Sequence, residues 1–331
     1  MVTDPQTHTN NLLTIVIPAY NEAESLPVVL PELVELCLRR GWQLVVVDDG
    51  STDATPQVLQ DVQQALGVSP TVMRSIRHKL NRGYGGALKS GLSSTNSRYV
   101  VTFDADGQHK VSDIEQMLAF MQENDADLVV GWRPGKEGSL YRRTGKAVIR
   151  AVTLFLVPNS IHDLNSGFKM FRTGLVQAYL QLCPDSMAFS DIITLVFIRR
   201  RHLVLNFPVQ TGGRITGRST INTYTALETL VEVLNIIMLF NPLRIFLSVA
   251  FVCLAFGVLW GIPILLRGRG VSVGSMLAIV TGLIFVFLGL VAEQLSQMRL
   301  QGIQPPQFSP GENPPQADPP REPPSQDQDP H

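Results

Sequence analysis

The sequence predicts an α/β domain built on a mostly parallel sheet, followed by a helical hairpin that crosses a membrane. Three observations carry this prediction. From Leu13 to Gly131, short β-prone apolar runs alternate with amphipathic helical stretches. Four of those runs end in clusters of polar and acidic residues. Two uncharged stretches of 22 residues each then follow one another closely, Ile245 to Leu266 and Val271 to Ala292.

The elements follow in order. Leu13-Thr-Ile-Val-Ile-Pro18 reads as a short buried strand. Glu24 to Arg40 has the helical period through Leu26, Val29, Leu30, Leu33 and Val34; Pro27 suits a first turn, and Pro31 is expected to bend the helix. Gln43 to Val47 is the second strand, Thr55 to Leu66 the second helix and Thr71 to Arg77 the third strand. Tyr84 to Ser93 is a helix, Tyr99 to Phe103 a strand, Val111 to Glu123 a helix and Asp127 to Gly131 the fifth strand. Alternation at this spacing calls for helices on both faces of the sheet. Ligands of such sheets sit beyond the carboxyl ends of the strands. The clusters at 18–22, 48–53, 104–109 and 131–133 all fall at those ends.

Phe103-Asp104-Ala-Asp106-Gly-Gln108-His109 is the most informative cluster. Two carboxylates spaced i, i+2 at a strand end repel unless a cation lies between them. Hard oxygen ligands suit Mg²⁺ or Mn²⁺, and Mg²⁺ commonly joins one or two carboxylates to substrate phosphates. The plain alternative is a solvated turn. Pro18-Ala-Tyr20-Asn-Glu22 places an aromatic side chain and an acid where a base and a ribose would lie, or simply starts a helix. Asp48-Asp49-Gly-Ser51-Thr-Asp53 repeats that logic, with Ser51 or Asp53 as alternative helix caps. Asn81-Arg-Gly-Tyr-Gly-Gly-Ala87 has the look of a phosphate loop. It does not follow the first strand, so it is no dinucleotide fingerprint. It reads either as a loop letting the nucleotide approach closely or as turn chemistry.

Composition narrows the function classes. A formal charge of −1 over 331 residues argues against nucleic-acid binding by bulk charge. Cys37, Cys183 and Cys253 form no ligand spacing. Residues 1–12 are polar, read as disordered and not as a secretory signal. From Pro305 to His331, ten prolines among 27 residues predict a disordered tail, assigned to 301–331.

Taken in order and spacing, Pro-Ala-Tyr-Asn-Glu, Val-Asp-Asp-Gly-Ser-Thr-Asp, Asn-Arg-Gly-x-Gly-x-Ala and Asp-Ala-Asp-Gly-Gln-His resemble family 2 glycosyltransferases, nearest to dolichyl- or polyprenyl-phosphate mannose and glucose synthases. The resemblance covers residues 13–220 and implies a GT-A fold, a UDP- or GDP-hexose donor and inverting transfer. It implies that Pro18, Tyr20, Glu22, Asp48, Asp49 and Asp104 contact the donor nucleotide. Asp104, Asp106 and Gln108 would hold Mg²⁺ or Mn²⁺, with Asp106 the more direct ligand. Asp163, in Asp163-Leu-Asn-Ser-Gly-Phe168, would stand at the reaction centre with Asp106 and Arg133. Arg133, Arg142, Lys146, Asp191, Arg214, Arg218 and Ser219 would bind the acceptor phosphate. Trp132 stands where the family usually has serine, Thr220 where it has lysine, and Phe189-Ser-Asp191 is equally a helix start. His109 is read as a supporting or structural group, and Arg199, Arg200 and Arg201 as a solvated basic face near lipid headgroups.

An acceptor phosphate makes chemical sense here. A sugar hydroxyl needs a general base, whereas a lipid phosphate oxygen is already anionic and needs positioning and charge neutralisation. Ile221 to Leu239 is amphipathic, and 221–244 reads as an interfacial segment. The hairpin occupies 245–295; each run is long enough for about 30 Å of hydrocarbon, with Pro263 near the end of the first. No Gln-x-x-Arg-Trp motif of processive synthases is present. The expected partners are the nucleotide sugar, a polyprenyl or dolichyl phosphate, the lipid bilayer and, through the hairpin, a second copy of the chain; nucleic acid is not among them. The reading is UDP-glucose to polyprenyl-phosphate glucose, because two C-terminal spans resemble the bacterial glucosyl branch; that implies a prokaryotic plasma membrane and a cytoplasmic catalytic domain. GDP-mannose is the alternative donor. A catalytically silent nucleotide-binding scaffold presenting the proline-rich tail is the alternative of another class.

Overall fold

The computed structural model describes residues 12–132, 163–209, 242–268, 270 and 272–301. Arg133, Arg142, Lys146, Arg214, Arg218 and Ser219 lie outside the described residues, as do the amphipathic stretch 221–239, residues 1–11 and the tail from Pro305.

Nine elements follow the expected alternation: β1 (Leu13–Ala19), α1 (Leu26–Arg40), β2 (Gln43–Asp48), α2 (Thr55–Ala65), β3 (Met73–Arg77), α3 (Tyr84–Ser93), β4 (Tyr99–Thr102), α4 (Ser112–Glu123) and β5 (Leu128–Trp132). Pro31 lies within α1 without ending it. Then come β6 (Lys169–Arg172), α5 (Thr173–Tyr179), a 3₁₀ turn at Leu180–Leu182, α6 (Phe189–Arg199) and β7 (Val204–Pro208). The strands form one sheet in the order β3-β2-β1-β4-β6-β5-β7. Only β6 is antiparallel to its neighbours, inserted between β4 and β5. β1, β2, β4 and β5 therefore end on the same edge.

Alternating strand residues feed two apolar layers. Ile15, Ile17, Leu44, Val46, Val101 and Phe103 pack under α1, α2 and α4. Val16, Val45, Val47, Val100, Val130 and Phe171 pack under α3, α5 and α6. Both faces of the sheet are covered, so its functional groups emerge at an edge.

The C-terminal hairpin is α7 (Pro242–Leu266) and α8 (Val273–Gln301). Both helices are long and apolar enough to cross a membrane, and most of their apolar side chains are exposed. Both outrun the uncharged stretches: α7 starts at Pro242, and α8 continues past Glu293. A helix need not stop where its charges begin, since the backbone bonds that continue it do not depend on side-chain polarity.

Candidate active site

The site forms where β1, β2 and β4 end. The register sets Ala19 beside Asp48 and Thr102 beside Val16, so the loops that follow these strands emerge side by side. Backbone amides tie the first two loops together. Asn21 N donates to Ser51 Oγ at 3.0 Å, Glu22 N to Thr55 Oγ1 at 2.9 Å and Thr52 N to Asn21 Oδ1 at 2.9 Å. Asn21 takes a positive φ of 56°, which asparagine tolerates better than most residues. Tyr20 stands 46% exposed beyond the strand. Ser25 donates to the Glu22 carboxylate at 2.5 Å.

Asp48 and Asp49 are both buried, and both are already engaged. Asp48 Oδ1 accepts from Ser51 N at 2.9 Å, and Oδ2 pairs with Arg77 Nε at 3.2 Å. Asp49 Oδ1 meets His78 Nδ1 at 2.6 Å and accepts from Arg82 N at 2.9 Å; Oδ2 accepts from Gly83 N at 2.8 Å. His78 Nε2 in turn meets Ser90 Oγ at 2.8 Å. Three of the roughly four acceptor positions of a carboxylate are thus filled. His78 carried no assignment from the sequence. Its place one residue past β3 on the ligand edge is the signal that points to it.

The glycine loop gains a different meaning. The amides entering α3 face the Asp49 carboxylate, the position where a helix start attracts an anion. The close approach that the glycines permit is made by the chain itself. A Cβ on Gly83 would lie 2.5 Å from Asp185 O, and one on Gly85 2.4 Å from Pro184 O. This loop seats residues 184–186 and positions Asp49, and Lys89 Nζ closes the contact on Asp185 at 2.7 Å.

Asp104 and Asp106 follow β4. Tyr84 Oη donates to Asp104 Oδ1 at 3.1 Å, and Gln108 N donates to Asp106 Oδ1 at 3.1 Å. Burial first, then the charge of Asp104 and the bond to it, hold the Tyr84 hydroxyl well above the ordinary phenol range, so it stays a donor. Behind them His109 is buried, stacked on Phe168 at 4.9 Å and edge-on to Phe103 at 6.0 Å. This ring cluster joins the Asp-x-Asp loop to the Asp163–Phe168 segment, which fits the structural reading of His109. Two carboxylates with Gln108 two residues on are a hard-oxygen set that fits Mg²⁺ or Mn²⁺, with phosphate oxygens and water as the usual remaining ligands. Among the described residues, no three His, Cys, Asp or Glu side chains gather to cage an ion by themselves.

The turn before β6 meets this edge. Thr102 Oγ1 donates to Gly167 O at 2.6 Å, and a Cβ on Gly167 would lie 2.2 Å from Asp104 Oδ2. Lys169 is 1% exposed; its Nζ donates to Leu164 O at 2.6 Å and to Ser190 O. Burial pulls the Lys169 ammonium down to about 8, against the charges of Asp191 and Asp163 first, then Cys183 and Asp104. Lys169 also carried no assignment from the sequence, although a lysine inside Phe168-Lys-Met-Phe171 signals a buried cation. Asp191 opens α6 in its first turn. Arg199, Arg200 and Arg201 fall at the other end of that helix, just before Leu203, which pairs with Asp127 ahead of β5.

A mixed, mostly parallel sheet with helices on both faces is the architecture of the GT-A fold. The chain belongs to glycosyl transferase family 2, whose profile matches residues 14–180, and it is a glycosyltransferase. Residues 241–298 match the GtrB C-terminal hairpin. A relative in Photorhabdus laumondii, described as undecaprenyl-phosphate 4-deoxy-4-formamido-L-arabinose transferase, is 27% identical over 300 residues, covering 86% of this chain and 89% of that protein. A protein of the same description in Pseudomonas savastanoi pv. phaseolicola is 29% identical over 310 residues, 89% of each chain. Among solved structures, glucosyl-3-phosphoglycerate synthase from Mycobacterium tuberculosis in complex with phosphoglyceric acid shares the fold, with TM-score 0.54 and 18% identity over 68% of this chain and 80% of that one. The same enzyme with Mn²⁺, UDP-glucose and phosphoglyceric acid gives TM-score 0.53 and 17% identity over 68% and 79%.

Proposed function

We propose that this glycosyltransferase moves a hexose from a nucleotide sugar to a polyprenyl phosphate at a membrane, with inversion. The observation that carries the reading is joint: a family 2 domain and a GtrB-type hairpin on one chain, similar over nearly nine-tenths of its length to proteins named as undecaprenyl-phosphate sugar transferases. UDP-glucose is the first donor to test and GDP-mannose the second. The names of the relatives add 4-deoxy-4-formamido-L-arabinose donors to that panel.

In this reading Tyr20, Glu22, Asp48 and Asp49 line the nucleoside, with Asp49 offering its remaining acceptor position to a base N–H. Asp104 and Asp106 would hold Mg²⁺ or Mn²⁺, and Mn²⁺ accompanies UDP-glucose in a solved protein of the same fold. Such an ion would supply charge neutralisation for the departing nucleotide diphosphate. Tyr84 and the turn at Gly167 hold the Asp104 carboxylate in place. Arg133, Arg142, Lys146, Arg214, Arg218 and Ser219 neutralise and orient the acceptor phosphate, whose anionic oxygen attacks the anomeric carbon from the face opposite the leaving group. Asp163 orients that acceptor, and Asp191 borders it. The hairpin anchors the chain in the bilayer, with the catalytic domain on the cytoplasmic side where nucleotide sugars are found; protease protection of that domain in sealed right-side-out vesicles tests this side, and cleavage would refute it.

The test is incubation of the full chain in nanodiscs with the donor panel and undecaprenyl phosphate. A lipid-linked sugar formed only with divalent metal, and lost in Asp106→Ala, is expected. No product and no donor hydrolysis with any donor would favour the nucleotide-binding scaffold instead.

A further inference from the structure

We propose that Lys169 is a positioning residue that sets the acceptor-side acids against the donor-side acid and restrains the affinity of that edge for a divalent ion. This rests on reading Asp104 and Asp106 as the metal seat and Asp163 and Asp191 as acceptor-side groups. The geometry is specific. Leu164 follows Asp163 and Ser190 precedes Asp191, and the Lys169 ammonium donates to the carbonyls of both residues. One buried cation therefore holds a carbonyl of the residue next to each acid. The same turn lies on the donor side: Lys169 N donates to Thr102 Oγ1 at 3.3 Å, and the Gly167 backbone lies against the Asp104 carboxylate. Three acids from separate parts of the chain, Asp104, Asp163 and Asp191, all act electrostatically on this one ammonium.

A lysine that only filled space would need no such company. A positive charge held beside these segments does two further things. It keeps them close without an ion present, and it lowers the negative potential that a divalent ion would meet. Donor and metal then bind as a unit and leave together, instead of the ion remaining on the bare protein.

The experiment compares Lys169→Met and Lys169→Arg in the full-length protein in nanodiscs. Mn²⁺ binding without nucleotide is read from the signal of free Mn²⁺ in electron paramagnetic resonance, and transfer to undecaprenyl phosphate is assayed in parallel. Lys169→Met is expected to bind Mn²⁺ about tenfold more tightly while kcat for transfer falls about 100-fold. Lys169→Arg is expected to keep wild-type Mn²⁺ affinity. Unchanged or weaker Mn²⁺ binding in a folded Lys169→Met protein overturns the proposal, because that is what loss of a purely structural group gives. Where Lys169→Met does not fold, Lys169→Met/Asp191→Asn is compared with Asp191→Asn alone; removing the lysine in that background must again tighten Mn²⁺ binding. The wild-type arm separates the two levels. Wild-type protein that binds Mn²⁺ through Asp106 but transfers nothing to lipid phosphate refutes the acceptor, and the Lys169→Met titration still decides the role of the lysine in ion binding. Wild-type protein that binds no Mn²⁺ even with nucleoside diphosphate present overturns both.

Discussion

Gly167→Ala probes the acidic edge with a single methyl group and no change of charge. The added Cβ would lie 2.2 Å from Asp104 Oδ2 and 2.7 Å from both Cγ and Oδ1, so the carboxylate must move about 1.2 Å to reach ordinary contact at 3.4 Å. The backbone of Gly167 is poorly placed to yield instead, because Thr102 Oγ1 holds its carbonyl at 2.6 Å and Ser166 and Phe168 on either side are fully buried. The atoms in the way belong to the end of a side chain, so the fold adjusts at little cost. The function does not: a displacement of about 1 Å at a reacting centre costs on the order of 100-fold in rate, about 2.7 kcal/mol. The expected result is a folded protein with a nearly unchanged melting temperature, weakened Mn²⁺-dependent nucleotide binding and kcat/KM reduced about 100-fold. The assay is transfer of labelled sugar to undecaprenyl phosphate, with thermal melting alongside. Activity within threefold of wild type would show that the position of Asp104 does not matter, and the reasoning would be refuted.

Three further outcomes follow from the same geometry. His78→Ala removes the 2.6 Å partner of Asp49 and should raise the donor KM about tenfold with kcat nearly constant, as expected for one bond to a charged group; an unchanged KM would remove Asp49 from base recognition. Tyr84→Phe deletes the 3.1 Å bond to Asp104 and should lower kcat/KM about tenfold; calorimetry should show weaker metal–nucleotide binding, and full affinity would count against the proposed seat. Far from the site, burial alone would push the Asp127 carboxyl up, but bonds from His202 and the Leu203 amide and the charges of His202 and Arg172 leave it lowered from its ordinary value. Its stabilisation is present above the ordinary carboxylate range and lost as pH falls through the lower folded value. Asp127→Asn should therefore cost about 1–3 kcal/mol at pH 7 and progressively less as pH falls below that range, and a deficit independent of pH would contradict the assignment.

The strands and helices up to Trp132 were legible because their apolar residues keep a period of 2 or 3.6 over a buried face. The antiparallel β6 was not, since four residues beginning and ending in lysine and arginine carry too little pattern. Half-buried β7 at the sheet edge was equally faint. The acidic clusters were legible as strand ends, and their convergence follows from parallel strand order. What the sequence did not reveal is which groups serve other groups. The glycine loop resembled a phosphate cradle because the Asp49 carboxylate occupies the place of the anion. His78 and Lys169 are silent in a linear reading because one partner of each, Asp49 and Ser190, lies 29 and 21 residues away. The division of labour between Asp104 and Asp106 stays a proposal; Tyr84 and the turn at Gly167 lie against Asp104, and the Gln108 amide binds Asp106.

The most direct measurement is mass spectrometry of lipid extracts after incubating the full chain in nanodiscs with undecaprenyl phosphate, the nucleotide-sugar panel and Mn²⁺. A hexosyl adduct of undecaprenyl phosphate from one donor, abolished by chelator and by Asp106→Ala, is the predicted result. Donor consumed at the same rate with and without the lipid, and no adduct from any donor, would contradict a polyprenyl phosphate acceptor.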